Sequence, residues 1–276
     1  MSGDARGVAL VVAAVTSLQF GAGLAVTLFD ELGPAGAALL RLAIAAVVLL
    51  ALWRPVVRGR PRAELRVAVA FGLVLGLMNW AIYSAMDRIP LGIAVTIEFA
   101  GPLAVAVAGS RRALDGVWVA LAAAGILLLA EPWGASDLDR LGVAFALIAA
   151  VMWAAYIKLA ARTGQLFGGG TGLAIAMAVG AALLVPAGVA QAGAALLDPE
   201  LLAAGAAVAL VSSVIPYSLE LEALRRLPAR VFGVLMSLEP AVAALAGLVV
   251  LGQTLGAREW LAVGLVVVAS AGAAAR

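Results

Sequence analysis

Residues 97–109 read IEFAGPLAVAVAG and residues 235–247 read LMSLEPAVAALAG. Each is a run of apolar residues holding one carboxylate, Glu98 or Glu239, with a proline just behind it: Pro102 after Gly101 in the first, Pro240 directly after the glutamate in the second. Extending both gives AMDRIPLGIAVTIEFAGPLAVAVAG (85–109) and ALRRLPARVFGVLMSLEPAVAALAG (223–247), which align without a gap. Arg88 then falls on Arg226, Pro90 on Pro228, Pro102 on Pro240 and Gly109 on Gly247. GVALVVAA (7–14) likewise resembles GVAFALIAA (142–150). The chain therefore reads as a duplication, with one copy over residues 7–130 and the second over 141–275.

The composition places both copies in a bilayer. Of 276 residues, 65% are hydrophobic and 12% charged, with a mean hydropathy of +1.13; soluble domains are roughly 45–50% apolar and about 25% charged. A helix crossing a hydrocarbon core needs about 20 mostly apolar residues. Ten such runs are present: 8–28, 34–53, 67–86, 91–109, 114–130, 141–160, 171–191, 201–221, 229–250 and 259–275. They are apolar all round and do not alternate, which excludes an outer-membrane barrel. The first run is longer than a secretory h-region and lacks a convincing cleavage site, so it reads as a retained helix. With no cysteine and no histidine, disulfides, thiol nucleophiles, imidazole metal sites and serine–histidine triads are all excluded. No cofactor is expected.

Basic residues mark the cytoplasmic side of a membrane protein. With the N-terminus inside, the inner segments carry Arg6, Arg54, Arg58, Arg60, Arg62, Arg66, Arg111, Arg112, Lys158, Arg162, Arg225, Arg226, Arg230 and Arg276, against Arg88, Arg140 and Arg258 outside. The outer loops hold most of the acids, among them Asp30, Glu31, Asp87, Asp139, Asp198 and Glu200. Both termini are thus predicted to be cytoplasmic, and the basic residues serve topology, not nucleic acid. Five helices per copy make the second copy enter from the opposite face. Such inverted repeats characterise secondary transporters, whose sites lie near the midplane between the halves.

At about 1.5 Å per residue, Glu98 lies roughly 12 Å from one face and Glu239 roughly 13 Å from the other. A charge at that depth costs about 2.5–3.5 kcal/mol on insertion scales and normally faces a bundle interior or a wet cavity. Each proline removes a backbone donor and frees a carbonyl one turn earlier, so Gly101, Pro102 and Pro240 predict opened, polar helix segments. A desolvated carboxyl there is suited to exchanging a proton for a cationic amine. Arg41, the only basic residue inside a predicted span, either pairs with a glutamate or holds a substrate carboxylate. Glu220 is a site residue or an interfacial one. Gln19, Asn79, Tyr83, Thr96, Trp153, Tyr156, Tyr217 and Ser237 are further candidates, the plainer roles being interfacial anchoring for the aromatics and back-bonded or helix-packing hydroxyls for Thr96 and Ser237. Gly72 and Gly76 in FGLVLG match a small-xxx-small packing motif.

PLGIAVTIEFAGPLAVAVAGSRR (90–112), MNWAIYSAM (78–86), SLQFGAGLA (17–25), LLRLAIA (39–45) and PYSLELEALRRLPARVFGVLMSLEPAVAALAGLVVLGQTL (216–255) resemble the EamA-type members of the drug/metabolite transporter superfamily, and within it the bacterial inner-membrane exporters of threonine and homoserine. The resemblance covers essentially the whole chain. It implies efflux of small neutral amino acids, driven by the proton gradient, with Glu98, Gly101, Pro102, Glu239 and Pro240 at the site and Arg41 and Asn79 nearby. Other metabolites or drugs move on the same scaffold, because fold does not fix substrate. Gly168–Gly170, without a counterpart in that family, read as a flexible linker. A passive channel would need a continuous polar stripe that is not present, and an intramembrane enzyme lacks its nucleophile. The expected partners are an amino-acid substrate, protons and the lipid bilayer; oligomeric state is left open.

Overall fold

The computed structural model describes residues 3–108, 113–130, 138–224, 226–227, 232 and 235–274. Arg111, Arg112, Arg225, Arg230 and Arg276, which entered the orientation argument, lie outside the described residues, as does most of the start of the 229–250 run. Everything described is helix or short connection. Five helices are long and apolar enough to cross a membrane: Ala5–Val26, Phe29–Trp53, Arg62–Met86, Arg140–Leu166 and Thr171–Leu197, the last including a short 3₁₀ turn. Shorter apolar helices fill the remaining runs. Val47, Leu52, Val151 and Val249 are each at least 63% exposed; on this composition hydrocarbon is their solvent.

In chain order the helices are α1 (Gly3–Val26), α2 (Phe29–Trp53) and α3 (Arg62–Met86), then α4 (Leu91–Glu98) and α5 (Ala100–Ala108), followed by α6 (Ala113–Ala130), α7 (Arg140–Leu166) and α8 (Thr171–Ala192). The last four are α9 (Pro199–Ala209), α10 (Ile215–Leu224), α11 (Glu239–Leu251) and α12 (Ala257–Ala274). The prolines act as expected. Pro102 cannot donate to the Glu98 carbonyl, and the helix is interrupted at Phe99 between α4 and α5. Pro240 cannot donate to Met236, and the chain turns at Ser237 and Leu238 before α11 begins. Positions 99 and 237 fall on each other when residues 85–109 and 223–247 are aligned. A third irregularity, a π-helical turn over Leu210–Val214, separates α9 from α10.

The packing repeats as well. α2 lies along α8, α4 along α11 and α6 along α12; α3 packs on α7 as α1 packs on α10, and α4 meets α7 as α11 meets α1. Gly72 and Gly76 let α3 approach Ala176 and Gly180 of α8, where an added Cβ would fall 2.6 Å and 3.0 Å from backbone atoms. At one end of the α2–α8 pair, Gly33 adopts φ 63° beneath Gln191, whose Oε1 accepts from the Ala35 amide at 2.8 Å. At the other, Gly169 adopts φ 58° beneath the indole of Trp53. The Gly168–Gly170 stretch is therefore not a free tether. A Cβ on Gly169 or Gly170 would come within 2.4 Å or 2.3 Å of Trp53, so the turn is built to receive that ring.

Loop contacts keep to one end or the other. At the acid-rich end Arg88 pairs with Asp139 at 2.9 Å, Gln253 accepts from the Leu91 amide at 3.0 Å, and Arg258 donates to the Leu128 carbonyl at 2.8 Å. Asp139 also caps α7 by accepting from Leu141; the hydrogen bond from Arg88, then that amide, hold its carboxyl below the usual aspartate value. At the arginine-rich end Arg60 pairs with Glu64 and reaches the Leu166 carbonyl and the Phe167 ring.

Candidate functional site

The helix interruptions open onto one cavity of about 760 Å³ of empty space, its mouth included. α1 supplies Leu18, Gln19 and Ala22; α2 supplies Arg41; α3 supplies Met78, Asn79, Ile82, Tyr83 and Met86; α4 supplies Val95 and Glu98. Trp153 and Tyr156 come from α7, Glu220 from α10, Met236 from the turn before α11, and Glu239 from its first residue. Nine of the sequence candidates thus meet in one place. Thr96 and Ser237 are buried but do not line the cavity; Thr96 Oγ1 donates back to the Gly92 carbonyl at 2.6 Å. Tyr217 lies on α10, and its side chain is outside the described residues.

The two glutamates stand in different surroundings. Glu239 is 2% exposed; its Oε2 accepts from Gln19 Nε2 at 3.2 Å, while its Oε1 is buried without a hydrogen-bond partner. Glu98 and Glu220 are near enough to repel its charge. Glu98 is 7% exposed and feels the attraction of Arg41. Gly101, one turn on, is held against α7 so closely that a Cβ would lie 2.1 Å from the Ala150 carbonyl oxygen. Phe99, at the break, packs edge-on to Trp153 with ring centres 5.3 Å apart.

Arg41 joins three elements. Nε donates to Ser213 Oγ, Nη1 to the Tyr83 hydroxyl and Nη2 to the Ser212 carbonyl, each at 3.0 Å. Its guanidinium also lies 5.6 Å from the centre of the Tyr83 ring. These contacts go to two hydroxyls and to a carbonyl of the π turn, beside the attraction between the guanidinium and Glu98. The adjacent serines in ALVSSVIP (209–216) were the available signal. Asn79, also in the lining, donates to the Leu75 carbonyl at 2.9 Å. The apolar lining from Met78, Ile82, Met86, Val95 and Met236 carried no distinguishing mark in a chain this hydrophobic.

Interrupted helices meeting at a buried cavity with three carboxyls and one guanidinium, inside a bundle of apolar helices, define a membrane transporter. The EamA-like transporter family matches residues 140–274. The chain is 44% identical over 267 residues to the threonine/homoserine exporter RhtA of Escherichia coli K12, spanning 96% of this chain and 90% of that one. It is also 44% identical over 265 residues to the threonine/homoserine exporter RhtA of Salmonella typhimurium LT2, spanning 95% and 89%. It belongs to the EamA-like transporter family. A crystal structure of a protein 19% identical in sequence superposes with a TM-score of 0.64 over 95% of both chains, which shows that the fold is shared.

Proposed function

We propose that this chain is a secondary active exporter of threonine, homoserine or similar small neutral amino acids across the bacterial inner membrane, working by proton-coupled antiport. The observation that carries the reading is the composition of the cavity: Arg41 lines it together with Glu98, Glu220 and Glu239. A zwitterion needs an anion for its ammonium and a cation for its carboxylate, and both lie within one small enclosure. Three carboxyls against one guanidinium leave negative charge to be balanced. The cations suited to balance it are the substrate's ammonium and protons, so occupation by one in place of the other couples their movements. The names of the relatives supply the substrate class.

The ten helical runs are read as two inverted five-helix repeats around this cavity, 7–130 and 141–275, with both termini in the cytoplasm. The repeated packing pairs, the interruptions at equivalent positions 99 and 237, and the matching glycine turns at the two ends of the α2–α8 pair support that reading. The chain has no cysteine, so Arg58→Cys and Glu200→Cys report orientation directly. An impermeant maleimide added outside spheroplasts should label Glu200→Cys and spare Arg58→Cys; the reverse pattern would invert the topology.

The transport reading is tested by efflux of labelled homoserine and threonine from proteoliposomes, with and without an imposed proton gradient and against empty liposomes. Gradient-stimulated release is expected. Release indifferent to the gradient would remove the antiport step, and no release of either amino acid would remove the substrate class.

A further inference from the structure

The cavity holds three carboxyls, and among the described residues only that of Glu239 has a buried oxygen lacking a donor. Glu239 opens α11, and the turn at Ser237 and Leu238 with Pro240 behind it sets where that carboxyl stands. Gln19 of α1 donates to one of its oxygens, Oε2, at 3.2 Å. Gln19 is itself 3% exposed, so this hydrogen bond is made in the interior, where the side chains have little freedom to turn. The other oxygen, Oε1, has no partner. A buried acceptor left unmade is costly unless a ligand completes it, and what completes a carboxylate best is a charged donor.

The electrostatics of the cavity separate this carboxyl from its neighbours. Glu98 shares the field of Arg41, and a cation bound there would be repelled by the guanidinium. Glu239 has Glu98 and Glu220 adding to its own negative potential. A primary ammonium therefore finds its most favourable position at Glu239, and a carboxylate on the same molecule is drawn the other way, towards Arg41. Met78, Ile82 and Val95 give the same cavity an apolar lining suited to a short side chain.

We infer that Glu239 Oε1 is the receptor for the ammonium group of the substrate and that Gln19 is the positioning residue that turns this oxygen to the cavity. The inference rests on the amino-acid export reading for the identity of the ammonium compound, and on the geometry alone for the site. Gln19 does not touch the substrate; it holds the carboxyl plane so that one oxygen is spent and the other presented.

The test uses the full-length chain in proteoliposomes, with threonine and homoserine as substrates, n-butylamine as an ammonium probe without a carboxylate, and 3-hydroxybutyrate and 4-hydroxybutyrate as the same two amino acids without their amines. Gln19→Leu should raise KM for threonine and homoserine by about tenfold, the scale of a lost hydrogen bond to a charged group, with maximal rate within about twofold and melting temperature unchanged. Gln19→Asn, which keeps the amide on a shorter arm, should fall between. Glu239→Gln should abolish n-butylamine binding measured by calorimetry, and Glu98→Gln should retain it. The hydroxybutyrates should bind weakly and equally to wild type and to Gln19→Leu. Unchanged KM in Gln19→Leu, or loss of n-butylamine binding in Glu98→Gln but not in Glu239→Gln, would overturn the inference while leaving amino-acid export standing. If neither amino acid is transported but n-butylamine binding still depends on Glu239 and Gln19, the ammonium site stands and the substrate class falls. Failure of the wild-type chain to bind any of the ammonium compounds would overturn the site.

Discussion

The helix interruptions at Phe99 and at Ser237–Leu238 look alike in sequence and differ in their surroundings. Both lie within one turn of a glutamate and of a proline, at positions that superpose when the two halves are aligned. In the first, the glutamate ends a helix segment, stands in the field of Arg41 and is followed by a glycine pressed against the Ala150 carbonyl. In the second, the glutamate begins a segment, where the helix dipole favours a negative charge, and it is held by Gln19 with one oxygen unpartnered. Both carboxyls are buried; one stands in the attraction of Arg41, and the other keeps one oxygen without a hydrogen-bond partner. Similar sequence around two helix breaks therefore does not make similar sites.

That contrast is open to direct attack. The largest effect is expected from Glu239→Gln, which should reduce threonine and homoserine transport by about a hundredfold or more, the scale of removing one partner of a buried charge pair, with normal amounts of protein in the membrane. Glu98→Gln should instead retain exchange of labelled for unlabelled substrate and lose stimulation by a proton gradient. Identical losses in both variants would erase the distinction between the two interruptions.

Arg41→Met removes three described hydrogen bonds that tie α2, α3 and the π turn together. It should lower stability by about 3–5 kcal/mol, as expected when one side of a buried charged network is deleted. Arg41→Lys should not restore it, because a lysine cannot reproduce the planar fork that meets three acceptors. Thermal unfolding in detergent measures both. Gly101→Ala sharpens the comparison from the other side: its new methyl must displace the Ala150 carbonyl, an overpacking cost of about 1–3 kcal/mol. The smallest effect belongs to Asp139. Its carboxyl is held below the ordinary value of 3.8 by Arg88 and the Leu141 amide, so its contribution is present above that pH and is lost as pH falls through the lowered value. Asp139→Asn should melt slightly below wild type at pH 7, and the two should converge in strong acid.

Much of this was legible in the residues. The ten apolar runs set where helices form, because hydrocarbon leaves a spanning backbone little choice but to satisfy itself. Pro102 and Pro240 announced both interruptions, since a missing amide hydrogen is a local, covalent fact. Glu98, Glu239, Arg41, Gln19 and Asn79 stood out because polar groups are rare and expensive in such runs. The partnerships were not legible. Gln19 and Glu239 are 220 positions apart, and Arg41 and Ser213 are 172 apart; nothing local says that α1 brings its amide to the start of α11. Thr96 carried two readings, a site hydroxyl or one bonded back into its own helix, and only the structure shows that its hydroxyl is turned back to Gly92. Gly168–Gly170 read as slack because a glycine run leaves the backbone free, and the structure fills that space with Trp53.

By itself, then, the sequence determined the solvent, the helices and their breaks, since each follows from transfer free energy and backbone chemistry acting within a few turns. Which carboxyl stands in the field of Arg41, which keeps an unpartnered oxygen and which side chains enclose them was decided only by tertiary structure, because a hydrogen bond or a charge interaction depends on distances between atoms that the order of residues does not contain.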